Sequence, residues 1–158
     1  MKIFINLLLL VLAVFISSCS TDDLDVQTDS LSEIKLSKTS CFGTCPIFDI
    51  QLNKNLEATL VVTNFVDGKE PGQYKTTITE DEWLKLSSMI IKMKFRHLKG
   101  DYGDRTLADS PSANSAITFK DGYVKEVRDY GANGTKDLRS LYTNIDDLVN
   151  RVDWRFVE

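Results

Sequence analysis

The sequence predicts an α+β domain: a mainly antiparallel sheet in the order ββββ-α-ββ-α, with room for one last strand at the C-terminus. Three observations predict it. Short stretches of alternating apolar and polar residues follow one another with turn dipeptides between them, one capped amphipathic segment interrupts them, and the longest helical periodicity lies near the end. Hairpin-length connections favour antiparallel pairing, and two helices suffice to cover one face of such a sheet.

Ile34 and Leu36 alternate with polar neighbours and mark a short first strand. Phe48, Ile50 and Leu52 share one face of the second, with Asp49 and Gln51 on the other. Leu56 to Val66 is rich in β-branched residues and reads as the third. Asp67-Gly68 and Pro71-Gly72 punctuate a turn, after which Tyr74, Thr76 and Ile78 alternate in the fourth. Thr79-Glu80-Asp81-Glu82 is a capping box opening a helix to about Lys94, with Trp83, Leu86, Ile90 and Met93 on its buried stripe. Ile117 and Phe119 begin a fifth strand. It turns at Asp121-Gly122, a dipeptide suited to a two-residue hairpin, into a sixth from Val124 to Tyr130. Beyond Gly131 to Gly134, the residues Leu138, Leu141, Tyr142, Ile145, Leu148, Val149 and Val152 recur at helical spacing. Val152, Trp154 and Phe156 alternate and suit an edge strand.

A chain of 158 residues, 42% hydrophobic and 27% charged, has enough apolar material for one core and not for two. Nineteen basic against 23 acidic residues give a net charge of -4, which argues against a nucleic-acid binder. One histidine and three cysteines leave too few preferred ligands for a closed structural zinc site, and no metal or other cofactor is expected.

The N-terminus points to a compartment. Met1-Lys2 is a short basic start, and Ile3 to Ile16 is apolar apart from Asn6. That run falls short of the roughly 20 residues of a comfortable membrane span and suits a secretory signal over residues 1–18. Ile16-Ser17-Ser18-Cys19 resembles the bacterial lipobox, an aliphatic residue and two small ones before a cysteine. The resemblance implies that Cys19 carries a diacylglycerol and becomes the first residue of the mature chain. Residues 19–32 are then a lipidated cysteine and a polar, acidic tether without apolar periodicity, and residues 33–158 form a single domain. Asp22, Asp23 and Asp25 resemble the acidic export tags of some surface lipoproteins, although a simply solvated linker explains them equally well. Ser20 in place of an aspartate next to Cys19 implies, by analogy with Gram-negative sorting, an outer-membrane location. The expected partners are the membrane, through Cys19, and another envelope protein or ligand.

Ser40-Cys41-Phe42-Gly43-Thr44-Cys45-Pro46 is the most distinctive string. Asp101-Tyr102, Asp109-Ser110-Pro111-Ser112, Asp121-Gly122 and Asp129-Tyr130-Gly131 follow it, and the amphipathic helix comes last. Together these resemble a bacterial domain family of unknown function, common in envelope lipoproteins and marked by C-F-G-x-C-P. The resemblance spans about Ile34 to Val149. It implies an α+β envelope domain and transfers no catalytic residue.

Outside the inner membrane, Cys41 and Cys45 face oxidising conditions. Fully extended, the segment would hold them roughly 13 Å apart, so a disulfide requires the chain to turn, which Gly43 allows. A structural disulfide is the favoured reading. The alternative is a thiol-redox or copper(I)-handling site, since C-x-x-x-C-P resembles the metal-binding string of thioredoxin-like copper chaperones and thiolates suit copper(I). In that family the cysteines precede a helix, whereas here Pro46 leads into a strand pattern, and His97 is the only histidine.

His97 is also the only imidazole available as a catalytic base, but no nucleophile elbow surrounds any serine. Lys99 to Asn114 reads as a long connection of the kind that carries function. Within it Tyr102 and Asp109 are the candidate binding residues, and Trp154 with Phe156 would form a second patch if exposed. No catalytic residue is assigned, and a non-catalytic envelope module is the leading expectation.

Overall fold

The computed structural model describes residues 30–104, 106 and 109–157. The expected signal at 1–18, the expected lipidation site Cys19 and the expected tether as far as residue 29 lie outside the described residues.

Eight strands form one sheet, β1 (Leu31–Lys38), β2 (Ile47–Asn53), β3 (Glu57–Asn64), β4 (Gly72–Thr77), β5 (Asp101–Tyr102), β6 (Ser112–Phe119), β7 (Val124–Tyr130) and β8 (Arg155–Phe156). Their spatial order is β5-β7-β6-β1-β2-β3-β4-β8. Every pairing is antiparallel except β5 with β7. Among the described residues two helices complete the fold, α1 (Glu80–Lys92) and α2 (Lys136–Arg151), with a short 3-10 turn at Phe95–His97. The α+β expectation is met, and the strand–helix order matches apart from the added strand β5 before β6.

One face of the sheet carries the core. Leu31, Ile34 and Leu36 of β1, Phe48, Ile50 and Leu52 of β2, and Ala58, Leu60 and Val62 of β3 are all buried. They join Trp83, Leu86 and Ile90 of α1 and the apolar stripe of α2 in a single cluster. The spacing in β1 is irregular because the ladder to β6 slips by one residue between Leu31 and Glu33. This bulge lets Leu31 and Ile34 point the same way. Strict alternation therefore locates Ile34 and Leu36 but misses Leu31, and the sheet starts earlier than expected.

Both helices begin on threonine. Thr79 Oγ1 accepts from Glu82 N–H, and Thr79 N–H donates to Glu82 Oε2 at 2.7 Å, the reciprocal capping box. Thr135 Oγ1 accepts from Leu138 N–H at 3.1 Å. On α1 the fourth buried position is Ser87, while Met93 is only half-buried because the helix ends at Lys92. Residue 87 lies one turn beyond Trp83, and its small side chain keeps the helix close to the sheet.

Two loop expectations are corrected. The β6–β7 turn has three residues rather than two: Gly122 N–H donates to Phe119 O at 2.9 Å, and only Gly122 takes positive φ there. That is a turn closed by a glycine bulge, which a three-residue hairpin requires. The connection from Lys99 is broken by β5, which pairs with β7 through Asp101↔Arg128 and Tyr102↔Asp129, and β6 begins at Ser112. The C-terminal alternation does give an edge strand, with Arg155 and Phe156 beside Lys75 and Tyr74.

Candidate functional site

The strings that stand out in the sequence meet at one end of the sheet. β1 runs from Leu31 toward this end and leaves it at Thr39, while β6 enters there and β7 finishes there. Thr39 N–H donates to Ser112 O at 3.0 Å, and Ser112 N–H donates to Thr39 Oγ1 at 2.8 Å. Phe42 N–H reaches Asp109 O at 3.2 Å. Ser110 N–H reaches the Tyr130 hydroxyl at 3.3 Å, and Gly131 N–H reaches Pro111 O at 2.7 Å. The cysteine string, the Asp-Ser-Pro-Ser turn and the Asp-Tyr-Gly turn are thus bonded into one rim.

Cys41 and Cys45 form a disulfide with their Cα atoms 5.9 Å apart. It closes a small ring that lifts Phe42 into solvent, where it is 88% exposed. On the neighbouring hairpin Phe65 is also exposed, and it follows Asn64, the partner of Ile47. His97 lies at the other end of the sheet, beside Ser30 and Phe119. The eight residues of β1 separate the two ends by about 25 Å. The structure therefore does not bring His97 to the cysteines.

Beneath the rim, Asp129 is fully buried. Its Oδ1 accepts from Asn133 N–H at 3.2 Å and its Oδ2 from Gly134 N–H at 2.9 Å, folding the segment that leads into α2. A Cβ on Gly134 would come within 2.7 Å of Oδ2, so the close approach requires glycine. The hydroxyls of Ser115 and Tyr142 are buried nearby without a hydrogen bond of normal geometry. Burial first, and then the Asp129 carboxylate, push the Tyr142 phenol well above its ordinary range. At neutral pH the Tyr142 phenol is therefore held in its protonated form.

Tyr102 belongs to this buried layer. It is half-buried against the core, its hydroxyl accepts from Lys99 N–H at 3.2 Å, and its Cβ would be 3.1 Å from a Cβ on Gly134. Asp109 is exposed with φ 59°, and its carbonyl anchors the disulfide loop. Trp154 is half-buried, with its indole N–H on Val149 O at 3.0 Å, while Phe156 is 54% exposed and meets Tyr74 edge-on with ring centroids 5.2 Å apart.

The face of the sheet opposite the helices carries a groove of about 620 Å³ across β7, β6, β1, β2 and β3. Its lining mixes apolar side chains with polar ones, including Lys35, Ser37, Asp49, Gln51, Asn114 and Arg128. Several of these side chains restrain one another: Gln51 Nε2 donates to Glu33 Oε2 at 2.6 Å, Glu33 pairs with Lys35 at 2.9 Å, and Ser37 bonds Asp49. Asn114 Oδ1 is buried there with no partner. Among the described residues, no group of three histidine, cysteine or acidic side chains is placed to hold a metal ion. Sequence reading missed this groove, because it is made by the outward residues of five strands brought together only by pairing.

Residues 32–149 match the family described as Domain of unknown function (DUF6438). The match takes in both helices and every strand from β2 to β7, and the chain belongs to this family. No curated protein matches the chain.

Proposed function

We propose that this chain is a lipid-anchored lipoprotein of the bacterial cell envelope, in the outer membrane, acting as a non-catalytic binding or structural module. The observation that carries the proposal is the junction at the N-terminus. Ile16-Ser17-Ser18-Cys19 is a lipobox-like string, a polar acidic stretch follows, and the first core side chain, Leu31, comes directly after. Among the described residues the core cluster begins at Leu31, directly after the polar acidic stretch that this reading takes as the tether. Two or three acyl chains on one cysteine hold a protein on a bilayer stably, since each buried methylene contributes about 0.8 kcal/mol.

A binding role is supported by the sheet face opposite the helices, whose groove holds a buried side-chain carbonyl at Asn114 without a partner among the described residues. Intact mass measurement of the protein extracted from membranes tests the anchor. The expected chain begins at Cys19 with acyl mass added, and Cys19→Ala abolishes both cleavage and acylation. An unacylated mature chain defeats the proposal. Photo-crosslinking groups placed at Asn114 and, as a control, at Lys136 on exposed α2 test the groove in intact cells. Capture of the same envelope component from both positions, or from neither, counts against a role for the open face.

A further inference from the structure

Charge is distributed unevenly along this acidic protein. Between Glu82 and Asp101 there is no acidic residue, yet the segment carries Lys85, Lys92, Lys94, Arg96, His97 and Lys99. Helix α1 and the 3-10 turn bring the end of this run to the end of the sheet where the described chain begins. Lys94, Arg96, His97 and Lys120 rim a cavity of about 1000 Å³ whose wall includes Ser30 and whose apolar floor includes Ile90 and Phe119. The one carboxylate on its lining, Asp121, is occupied by Arg96 at 2.6 Å, and that guanidinium also lies over the rings of Phe119 and Tyr123. Lys92, Lys94 and Lys99 are exposed and make no side-chain ion pair among the described residues. Lys94 takes left-handed φ at 54° where the helix ends, a conformation uncommon for a long side chain.

We propose that this basic rim, together with the exposed Lys92 and Lys99 that flank its Lys94–His97 segment in the chain, is a docking surface for the anionic phospholipid headgroups of a bilayer. The proposal rests on the anchored reading above, because location supplies half of the argument. Eleven residue steps separate Cys19 from Ser30, a length that as a random coil corresponds to about 18 Å, so a bilayer holding Cys19 would be within range of the rim. Charge complementarity supplies the other half, since each lysine or arginine at an anionic surface contributes about a fivefold gain in binding. Docking would fix the orientation of the domain and turn the opposite end, with the disulfide ring and Phe42, away from the membrane. The competing occupant is the acidic tether itself, with Asp22, Asp23, Asp25 and Asp29.

Among the described residues all buried core side chains lie between Leu31 and Val149, so a chain starting at Ser20 retains that core, carries no acyl group and keeps the competing aspartates. The experiment is co-sedimentation of that chain with vesicles of phosphatidylcholine alone and of phosphatidylcholine mixed with phosphatidylglycerol. Binding is expected only to the mixed vesicles and to fade as salt rises toward physiological strength. Each of Lys92→Gln, Lys94→Gln and Lys99→Gln should weaken it about fivefold, and the triple variant about a hundredfold, with an unchanged circular dichroism spectrum. No binding to the mixed vesicles at low salt, equal binding to both vesicles, or an undiminished triple variant would overturn the proposal. So would retention of the chain by heparin with no vesicle binding. Because the tested chain is unacylated, failure here is separate from failure of the anchor, which is read from the mass of the mature Cys19.

Discussion

Replacing both Cys41 and Cys45 by serine opens a ring of five residues whose conformation is otherwise held by one backbone hydrogen bond from Phe42 N–H to Asp109 O. In the chain-entropy account a cross-link removes about 2.1 cal/mol/K plus 1.5R ln n from the unfolded chain. With five residues closed this amounts to about 2 kcal/mol at 25 °C. Over roughly 120 folded residues, an unfolding entropy near 2.1 cal/mol/K per residue converts that into a fall in Tm of about 8 °C. Urea unfolding followed by tryptophan fluorescence measures it, since Trp83 is buried in the core and Trp154 packs at the end of α2. The double variant and the dithiothreitol-treated native protein should lose the same amount, and dithiothreitol should leave the variant unchanged. Stability equal to that of the oxidised protein would refute the reasoning. A loss above about 4 kcal/mol would also refute it, because so small a ring cannot supply that through entropy alone.

Three further outcomes are expected. Gly103→Ala should destabilise by about 3 kcal/mol in the same urea assay, because a Cβ there would fall 1.8 Å from Tyr130 O on a backbone with φ 88°. Asp129→Asn leaves one acceptor for two amides and turns an NH₂ toward one of them, a cost of about 2 kcal/mol; thermal melts of both variants would show whether the cost is paid in the fold. Partial burial pushes the Glu82 carboxyl up, but hydrogen bonds from Thr79 and Arg151, with the Arg151 charge, outweigh it and hold the group below its ordinary range. Its contribution is therefore present above the ordinary carboxylate pKa and lost as pH falls through the lower folded value. Glu82→Gln should accordingly flatten the acid limb of a stability–pH profile.

Much of the fold follows from local chemistry. The capping box at Thr79 and Glu82 and the apolar stripe from Leu138 to Val149 are each written within a few turns of helix, and both appear as read. What escaped local reading depends on partners distant in sequence. The bulge that turns Leu31 inward exists only against β6, and β5 is too short at two residues to show a period. The rim joining Thr39 to Ser112 spans 73 positions, and no spacing rule reaches across that interval. The basic stretch after Glu82 was legible but is hidden in a whole-chain charge, where the acidic residues elsewhere cancel it.

The sheet's outermost strands, β5 and β8, hold only two residues each. A strand that short offers a stray chain almost no ladder of its own, and the two cover only Arg128 and Asp129 of β7 and only Tyr74 and Lys75 of β4. Any strand added to this sheet by a neighbouring copy would therefore have to pair along the remainder of β7 or β4.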